Sequence, residues 1–164
     1  RPTLDYLKSR IHVDLNKGLV TWIDATKHHR RLNGTPAGCV RIGHSGKGYW
    51  YIKINGLGIK RAHIVYLFAT GTWPTLIVDH RNGNSTDDRW ENLRHATITQ
   101  NAWNHKTRKR RSLLPMGVRL LSSGRYQARL AVNKHMNHLG TFPTIQEAVS
   151  AYQEARVFHF GEFA

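Results

Sequence analysis

The sequence predicts an α+β protein built from short antiparallel strands and a small number of helices. A first observation is the pair of strand-like stretches Tyr49–Ile54 and Leu57–Lys60, which flank Asn55-Gly56, a dipeptide that favours a tight hairpin turn. A second is a pair of capping patterns at Thr97 and Thr144, where Gln or Glu follows three residues later and marks a helix start. These patterns indicate small antiparallel sheets accompanied by single helices.

A change in composition divides the chain. The 164 residues allow one domain or two small ones. The segment 106–115 is strongly basic and separates two stretches that have strands and helices of their own. We therefore predict a domain over residues 1–105, a basic linker over 106–115, and a second domain over 116–164.

The charge balance predicts a polyanionic partner. The chain has 25 Lys and Arg residues against 10 Asp and Glu, with a formal net charge of +15 and a pI near 10.7. Nucleic acid is the first candidate for such a surface, and an anionic membrane surface is the second. No long basic amphipathic helix is apparent, which favours nucleic acid.

The cysteine and apolar content indicates a cytoplasmic protein. Cys39 is the only cysteine, which excludes an internal disulfide and a cysteine-rich zinc site and fits a reducing compartment. The longest uninterrupted apolar run, Ile64–Ala69, is far too short to span a bilayer. We expect no signal peptide and leave open that a leader or an initiator residue preceded Arg1.

The N-terminal residues predict a short helix and a hairpin. The helix is expected around Leu4–Lys8, and the hairpin joins Ile11–Leu15 to Leu19–Ile23 through the turn 16–18. The basic cluster Lys27–Arg31 that follows contains two histidines. It is interpreted as a solvated loop, with phosphate contacts or a histidine metal site as the alternatives.

A buried helix is predicted after the Asn-Gly hairpin. It covers Ala62–Thr70 and is closed by Gly71, a residue that favours the left-handed conformation at a helix end. His63 lies at its start. This histidine is either a buried, hydrogen-bonded structural residue, which we favour, or a catalytic group.

The most informative stretch follows this helix. The apolar run Leu76–Val78 predicts a buried strand with Asp79 and His80 at its end. A polar loop and a short strand come next, and the helix that starts after Thr97 carries Asn101 in its first turn. This order can bring a carboxylate, an imidazole and a carboxamide to one point.

These side chains form a plausible set for phosphodiester cleavage. A hard cation such as Mg²⁺ accepts one carboxylate and one amide oxygen, here Asp79 and Asn101, if phosphate and water complete its shell. An imidazole, here His80, can take a proton from an attacking water near neutral pH. Asn92 can hold the loop or orient His80, since an amide both donates and accepts. An Asp-His pair at a strand end is common, so this pair alone does not identify the function.

The spacing resembles the motif of HNH endonucleases. Asn92 follows His80 by twelve residues, and Asn101 follows after nine more. A final Asn in place of His is typical of phage-encoded homing endonucleases. The resemblance covers residues 45–105. The flanking stretches that agree with the family are Arg61-Ala62-His63, Gly71–Pro74, Gly83-Asn84, Asp87–Arg89 and Asn92–Arg94.

The HNH resemblance implies a ββα-metal nuclease domain. In that family His80 is the general base, Asp79 and Asn101 bind a divalent ion, Mg²⁺ or Mn²⁺, and Asn92 braces the loop. Asp88 departs from the family, which usually carries Asn, and we expect the change to affect the loop and not the chemistry. The implied partner is double-stranded DNA. We expect a monomer, with a dimer left open, in the cytoplasm of a bacterial host if the gene is carried by a phage.

Residues beyond this motif have roles that stay open. Asn104 and His105 follow Asn101 on the same predicted helix face, so either can reach the metal or the phosphate, and His95 is a weaker candidate. The basic run that follows is either a solvated linker or an arm along DNA, and the overall charge favours the arm. Its candidate DNA-binding residues are Arg108, Lys109, Arg110 and Arg111.

The second domain predicts three antiparallel strands and one helix. The central strand Tyr126–Val132 alternates apolar and polar residues, which gives an apolar face and a cationic face. A helix that starts after Thr144 presents an apolar stripe to one side of the sheet and leaves the other side free. The stripe consists of Ile145, Ala148, Val149, Tyr152, Ala155 and Phe158.

This second domain is similar to the APETALA-type DNA-binding domain of plant transcription factors. Shared stretches are Gly117–Arg119, Gly124–Tyr126 and Leu139–Phe142. The resemblance implies that the free sheet face enters the major groove, with three base-reading positions. The candidates for these positions are Arg119, Arg129 and His138, to which geometry and charge add Arg125, Gln127 and Lys134. A solvated basic face is the alternative.

The leading hypothesis is therefore a metal-dependent DNA endonuclease of the homing type that nicks one strand. Its first domain cleaves, and its second domain adds affinity and site preference. One alternative is a catalytically inactive, sequence-specific DNA-binding protein. Another is a nuclease that is non-specific or directed to RNA.

Overall fold

The computed structural model describes residues 1–25, 31–43, 46–103 and 113–164. These residues divide into two compact units, Arg1–Ile98 and Thr99–Ala164. Small antiparallel sheets and helices make up both units, which confirms the α+β fold class. The predicted boundary at residue 105 lies outside the described residues, so the domain limits stay a prediction.

The first unit begins with the predicted helix and hairpin. Helix α1 spans Leu4–Lys8 and starts at Thr3, whose hydroxyl accepts a hydrogen bond of 3.3 Å from the amide of Tyr6. Strands β1 (Ile11–Asp14) and β2 (Leu19–Trp22) pair antiparallel, as the turn between them predicts.

A three-stranded antiparallel sheet follows in the order β3-β4-β5. Its strands are β3 (Cys39–Ile42), β4 (Gly48–Ile54) and β5 (Leu57–Lys60). The turn between β4 and β5 has positive φ at both Asn55 (50°) and Gly56 (79°). These angles belong to a tight hairpin turn, which confirms the interpretation of this dipeptide.

The remaining elements of the first unit lead to the candidate site. Helix α2 (Arg61–Thr70) ends at Gly71, which has a φ of 80° and the predicted left-handed conformation. Strands β6 (Ile77–His80) and β7 (Leu93–Ala96) form an antiparallel pair. Helix α3 (Ile98–Trp103) follows β7 along the chain and, apart from Ile98, belongs to the second unit. The predicted order of strand, loop, strand and helix is therefore confirmed.

The core of the first unit lies between the hairpin, the three-stranded sheet and α2. The apolar side chains of this core support β6 and β7. Each fully buried large aliphatic side chain contributes roughly 1.5–3 kcal/mol to stability. Among the described residues, no helix combines the length and apolar character needed to cross a bilayer. The core side chains that are most completely buried are Leu7, Ile11, Val20, Ile52, Ile64, Val65 and Leu67.

The second unit contains the predicted three-stranded sheet and helix. Strands β8 (Val118–Leu120), β9 (Tyr126–Val132) and β10 (His135–Phe142) pair antiparallel in the order β10-β9-β8. Helix α4 spans Ile145–Phe160, and Thr144 accepts a hydrogen bond from the amide of the residue three positions on, as its capping pattern predicts.

One position of the predicted stripe on α4 is wrong. Ala148 and Tyr152 are buried as predicted, but Phe158 is 84% exposed and Phe160 is buried in its place. Phe158 follows Tyr152 by six residues, or about 1.7 turns of an α-helix, whereas Phe160 follows it by eight residues, or about 2.2 turns. Phe160 therefore lies closer than Phe158 to the side of α4 that carries Tyr152.

Candidate active site and nucleic-acid interface

The predicted base, His80, ends a buried chain of polar side chains. It is the last residue of β6 and is 6% exposed. Its Nε2 lies 2.8 Å from Oδ1 of Asp88, a residue that is 2% exposed. The other carboxylate oxygen, Oδ2, accepts a hydrogen bond of 2.7 Å from Nε of Arg61. The imidazole is therefore linked through a carboxylate to a buried guanidinium.

The expectation that Asp88 affects only the loop did not include its contact with His80. The residue belongs to the loop, but its carboxylate lies against His80 and so does not concern the loop alone. The N-terminal hairpin holds this part of the loop in place. A Cβ at Gly18 would run into the backbone of Asp88, and the amide of Trp90 donates a 2.9 Å hydrogen bond to the carbonyl of Leu15.

The predicted metal ligand Asp79 is buried and fixed by its cross-strand neighbour. It pairs with Arg94 in the β6–β7 register, and Nε of Arg94 donates a 3.0 Å hydrogen bond to its Oδ2. A fixed carboxylate and an amide are hard oxygen donors, which suits Mg²⁺ or Mn²⁺. Within the described part of the chain, no group of three or more His, Cys, Asp or Glu side chains could hold a metal.

Asn92 makes the contacts of a loop brace. Its Oδ1 accepts a 3.0 Å hydrogen bond from the amide of Asn82, and its Nδ2 donates a 2.7 Å hydrogen bond to the carbonyl of Asp87. The amide of Arg81 also donates to the carbonyl of Asn92, at 2.8 Å. The side chain therefore ties both ends of the loop together.

The other candidate residues near the motif have different surroundings. Asn101 is half-buried on α3, in the second unit. His95 packs against Tyr66. Its ring stacks on Tyr66 with centroids 4.3 Å apart, and the Tyr66 hydroxyl lies 3.2 Å from its Nδ1. Asn104 and His105 lie outside the described residues.

Tyr49 is a site neighbour that the sequence analysis missed. Its ring centroid lies 6.5 Å from that of His80. Burial, followed by the nearby Tyr51 hydroxyl and the negative charge of Asp79, raises the pKa of Tyr49 above its usual value. The alternation of side chains along β4 could have placed Tyr49 on an outer face of the sheet, because every second residue of this strand faces away from the core.

The side of the sheet that carries Tyr49 is basic and aromatic. The Lys60 ammonium lies 4.4 Å from the centroid of the Tyr49 ring, and the Arg41 guanidinium lies 5.5 Å from that of Tyr51. Lys53 is exposed on the same side, since it follows Tyr51 by two positions along β4. Aromatic rings beside cations form a surface that suits a nucleic-acid backbone.

His63 is held in its neutral form by its surroundings. Burial, then the positive charges of Lys60 and Arg1, lower the pKa of His63 from 6.5 to about 4. The unfolded chain therefore takes up a proton near pH 6.5 and the folded chain only near pH 4. We expect this group to reduce the free energy of unfolding as the pH falls through that interval and to have no effect above it.

Urea unfolding of the wild type and His63→Gln at several pH values from 7 to 4.5 checks this prediction. The wild type is expected to lose stability more steeply than the variant on acidification, because the variant lacks the protonation that favours the unfolded chain. Parallel pH dependences would contradict it.

The second unit collects the predicted DNA-binding residues on one side of its sheet. Arg119 pairs with Gln127, and His138 pairs with Arg129, in the strand register. Paired residues share a face, so these four lie on the side that α4 does not cover. The residues with the greatest exposure among them are Arg119 and His138. The arrangement agrees with the predicted free face.

Three further predictions concern the edges and connections of these units. Arg125 precedes β9 and donates a 3.1 Å hydrogen bond to the carbonyl of Thr141. Lys134 lies in the β9–β10 turn with a φ of 68° and is exposed. Two basic stretches lie outside the described residues, namely Lys27–Arg30 and the arm with Arg108, Lys109, Arg110 and Arg111.

Comparisons with known proteins find HNH endonucleases. The sequence model of the HNH endonuclease family matches residues 60–103. An uncharacterised HNH endonuclease of Acanthamoeba polyphaga mimivirus is 32% identical over 124 residues, which cover 70% of this chain and 64% of that protein. The solved structure of the HNH homing endonuclease I-HmuI, which binds and cleaves DNA, is 23% identical, with a TM-score of 0.42 over 63% of this chain and 55% of that one. The chain thus spans less than two thirds of the length of either protein.

Proposed function

Because residues 60–103 match the sequence model of the HNH endonuclease family, we propose that this chain is a metal-dependent endonuclease that hydrolyses phosphodiester bonds of double-stranded DNA. One observation carries the proposal. At the end of β6, Asp79 is held by Arg94 while the adjacent His80 is held by Asp88. A fixed oxygen donor and a fixed imidazole are thus neighbours in the motif.

His80 is the general base of the proposed reaction. It takes a proton from a water molecule, the water oxygen bonds to phosphorus, and the bond from phosphorus to the leaving oxygen breaks. Arg94 orients the carboxylate of Asp79, and Asn92 keeps the loop closed beneath the site. Each of these contacts fixes a group before substrate binds.

Asp79 and Asn101 are the proposed ligands of a Mg²⁺ or Mn²⁺ ion. Such an ion, when bound, offsets the negative charge that grows on the phosphoryl and leaving oxygens. The donor set fits such an ion, since both side chains would supply a hard oxygen donor and phosphate oxygens would complete the shell.

DNA binding is assigned to the basic surfaces. The free sheet face of the second unit is proposed to enter the major groove in the manner of an APETALA-type domain. The candidate contacts are Arg108, Lys109, Arg110, Arg111, Arg119, Arg125, Gln127, Arg129, Lys134 and His138. A chain with one such catalytic motif is proposed to act as a monomer that nicks one strand, as a phage homing endonuclease does in the cytoplasm of its host.

Arg129 and Lys134 are expected to contribute differently to DNA binding. Arg129→Ala removes a guanidinium suited to guanine, so it should cost about 1–3 kcal/mol at a preferred site and relax the sequence preference. Lys134→Ala should weaken binding equally on all sequences and reduce the slope of log affinity against log salt by about 0.9. Fluorescence anisotropy with specific and random duplexes at several salt concentrations distinguishes the two. Identical behaviour of both variants would contradict the assignment.

Plasmid cleavage tests the proposed function. Supercoiled plasmid should be converted to the nicked circle in Mg²⁺, and EDTA should stop the conversion. DNA binding without cleavage in any divalent ion would favour the inactive DNA-binding protein. Equal cleavage of duplex RNA at the same salt concentration would favour a nuclease that does not select DNA.

A further inference from the structure

We propose that Asp88 is a positioning residue, which fixes the imidazole of His80 with its hydrogen on Nε2 and its proton-accepting lone pair on Nδ1. The proposal deepens the proposed nuclease function and rests on it. It gives a role to a buried carboxylate that the proposed reaction does not otherwise use.

The contacts of Asp88 decide which nitrogen carries the hydrogen. Oδ2 accepts from Nε of Arg61 at 2.7 Å, so this carboxylate faces a permanent cation and offers acceptors only. Oδ1 lies 2.8 Å from Nε2 of His80, within hydrogen-bonding distance. The nitrogen opposite an acceptor must donate, so Nε2 carries the hydrogen. A neutral imidazole then has its lone pair on Nδ1, and this is the nitrogen that would act as the base.

The carboxylate itself is held from several sides. The Nη2 of Arg61 donates a 3.1 Å hydrogen bond to the carbonyl of Thr86, and its guanidinium carbon lies 4.3 Å from the centroid of the Trp50 ring. Gly18 leaves no room for a side chain against the backbone of Asp88. Since Arg61 starts α2 and Gly18 belongs to the β1–β2 turn, two separate elements set the direction from which Asp88 meets His80.

A purely structural ion pair between Arg61 and Asp88 is the alternative. Both side chains are almost fully buried, at 6% and 2% exposure, and a buried pair of this kind can be replaced by apolar side chains with little loss of stability. Such a replacement would leave a structural role intact but would remove the acceptor that faces His80. The two roles are therefore separable.

The double variant Arg61→Met/Asp88→Leu makes this separation in the full chain, because it removes the acceptor without leaving an unpaired buried charge. Asp87→Asn is the matched control. Asp87 is the adjacent loop residue, pairs with Arg89 at 2.9 Å, and has its pKa lowered to about 2 by that hydrogen bond. The control changes an aspartate of the same loop without touching the contact to His80.

Two measurements apply to each protein. Long-range ¹H–¹⁵N correlation spectra at pH 8 identify the protonated nitrogen of His80, with His80→Gln used to assign its signals among the eleven histidines. Single-turnover cleavage and DNA affinity are measured on the same duplex. The wild type and Asp87→Asn are expected to show hydrogen on Nε2. The double variant is expected to show a mixture of tautomers and to lose about 10- to 100-fold in cleavage rate, the cost known for partners that orient metal-bound histidines, with DNA affinity unchanged.

Hydrogen on Nδ1 of His80 in the wild type would overturn the inference, whatever the activity. So would an unchanged tautomer and cleavage rate in a folded double variant. If the double variant does not fold, the wild-type spectrum alone still decides the tautomer. If the wild type shows the expected tautomer but cleaves no DNA in any divalent ion, the proposed function fails while the contact between Asp88 and His80 stands.

Discussion

Replacing His80 by alanine is expected to lower the rate of DNA cleavage by about 10²–10⁴, the usual contribution of a general base. The loss should appear in the rate constant at saturating enzyme, because the imidazole accepts its proton only during the reaction. DNA affinity should stay within a few fold, since a residue that is 6% exposed offers little surface to a partner. Single-turnover nicking of plasmid in Mg²⁺, with affinity measured in Ca²⁺, separates the two effects.

His12→Ala is the matched control for this variant. His12 lies on β1 of the same unit and is exposed, so its removal should alter neither cleavage nor binding. A His80→Ala protein that cleaves as fast as the wild type would remove His80 from the mechanism.

Replacing Asp79 by asparagine is expected to reduce cleavage by at least about 10³-fold, the equivalent of the several kcal/mol that a bound cation typically supplies. The amide keeps the shape of the side chain but loses the charge that attracts the ion. Part of the rate should return as the Mg²⁺ concentration rises, because the weakened site is then filled by mass action. Cleavage rates over a range of Mg²⁺ concentrations measure this shift.

The same substitution also affects stability, so folding of the variant must be checked beside its activity. Arg94 loses its charged partner inside the protein, and breaking a buried pair by removal of one partner costs about 3–5 kcal/mol. Asp24→Asn removes the charge of another aspartate that pairs with an arginine, Arg10, away from the site. This control should retain full activity and an unchanged Mg²⁺ requirement. An Asp79→Asn protein that is folded and has a wild-type Mg²⁺ requirement would exclude Asp79 as a ligand.

Features set by neighbouring residues were predictable from the sequence. The Asn55-Gly56 turn, the left-handed Gly71 and the helix starts after Thr97 and Thr144 are all confirmed. Each depends on backbone preferences and hydrogen bonds within a few residues, which a short sequence pattern records directly. The placement of Asp79 and His80 at a strand end followed from the same kind of local pattern.

Contacts between distant residues were not predictable in this way. Arg61 and Asp88 are separated by 27 positions, and nothing in either local pattern indicates that they meet beneath His80. The proximity of Tyr49 to the imidazole likewise depends on how the three-stranded sheet packs beside β6. The sequence therefore predicted which groups the candidate site contains, whereas the folded chain adds the groups that hold them in position.

Binding of Mn²⁺ to the full chain with duplex DNA, followed by electron paramagnetic resonance, tests most directly whether Asp79 and Asn101 bring one ion to His80. The wild type should bind a single ion tightly and so remove the signal of free Mn²⁺. The signal should persist when either Asp79→Asn or Asn101→Ala is titrated under the same conditions. Unchanged Mn²⁺ affinity in both folded variants would contradict the proposed site.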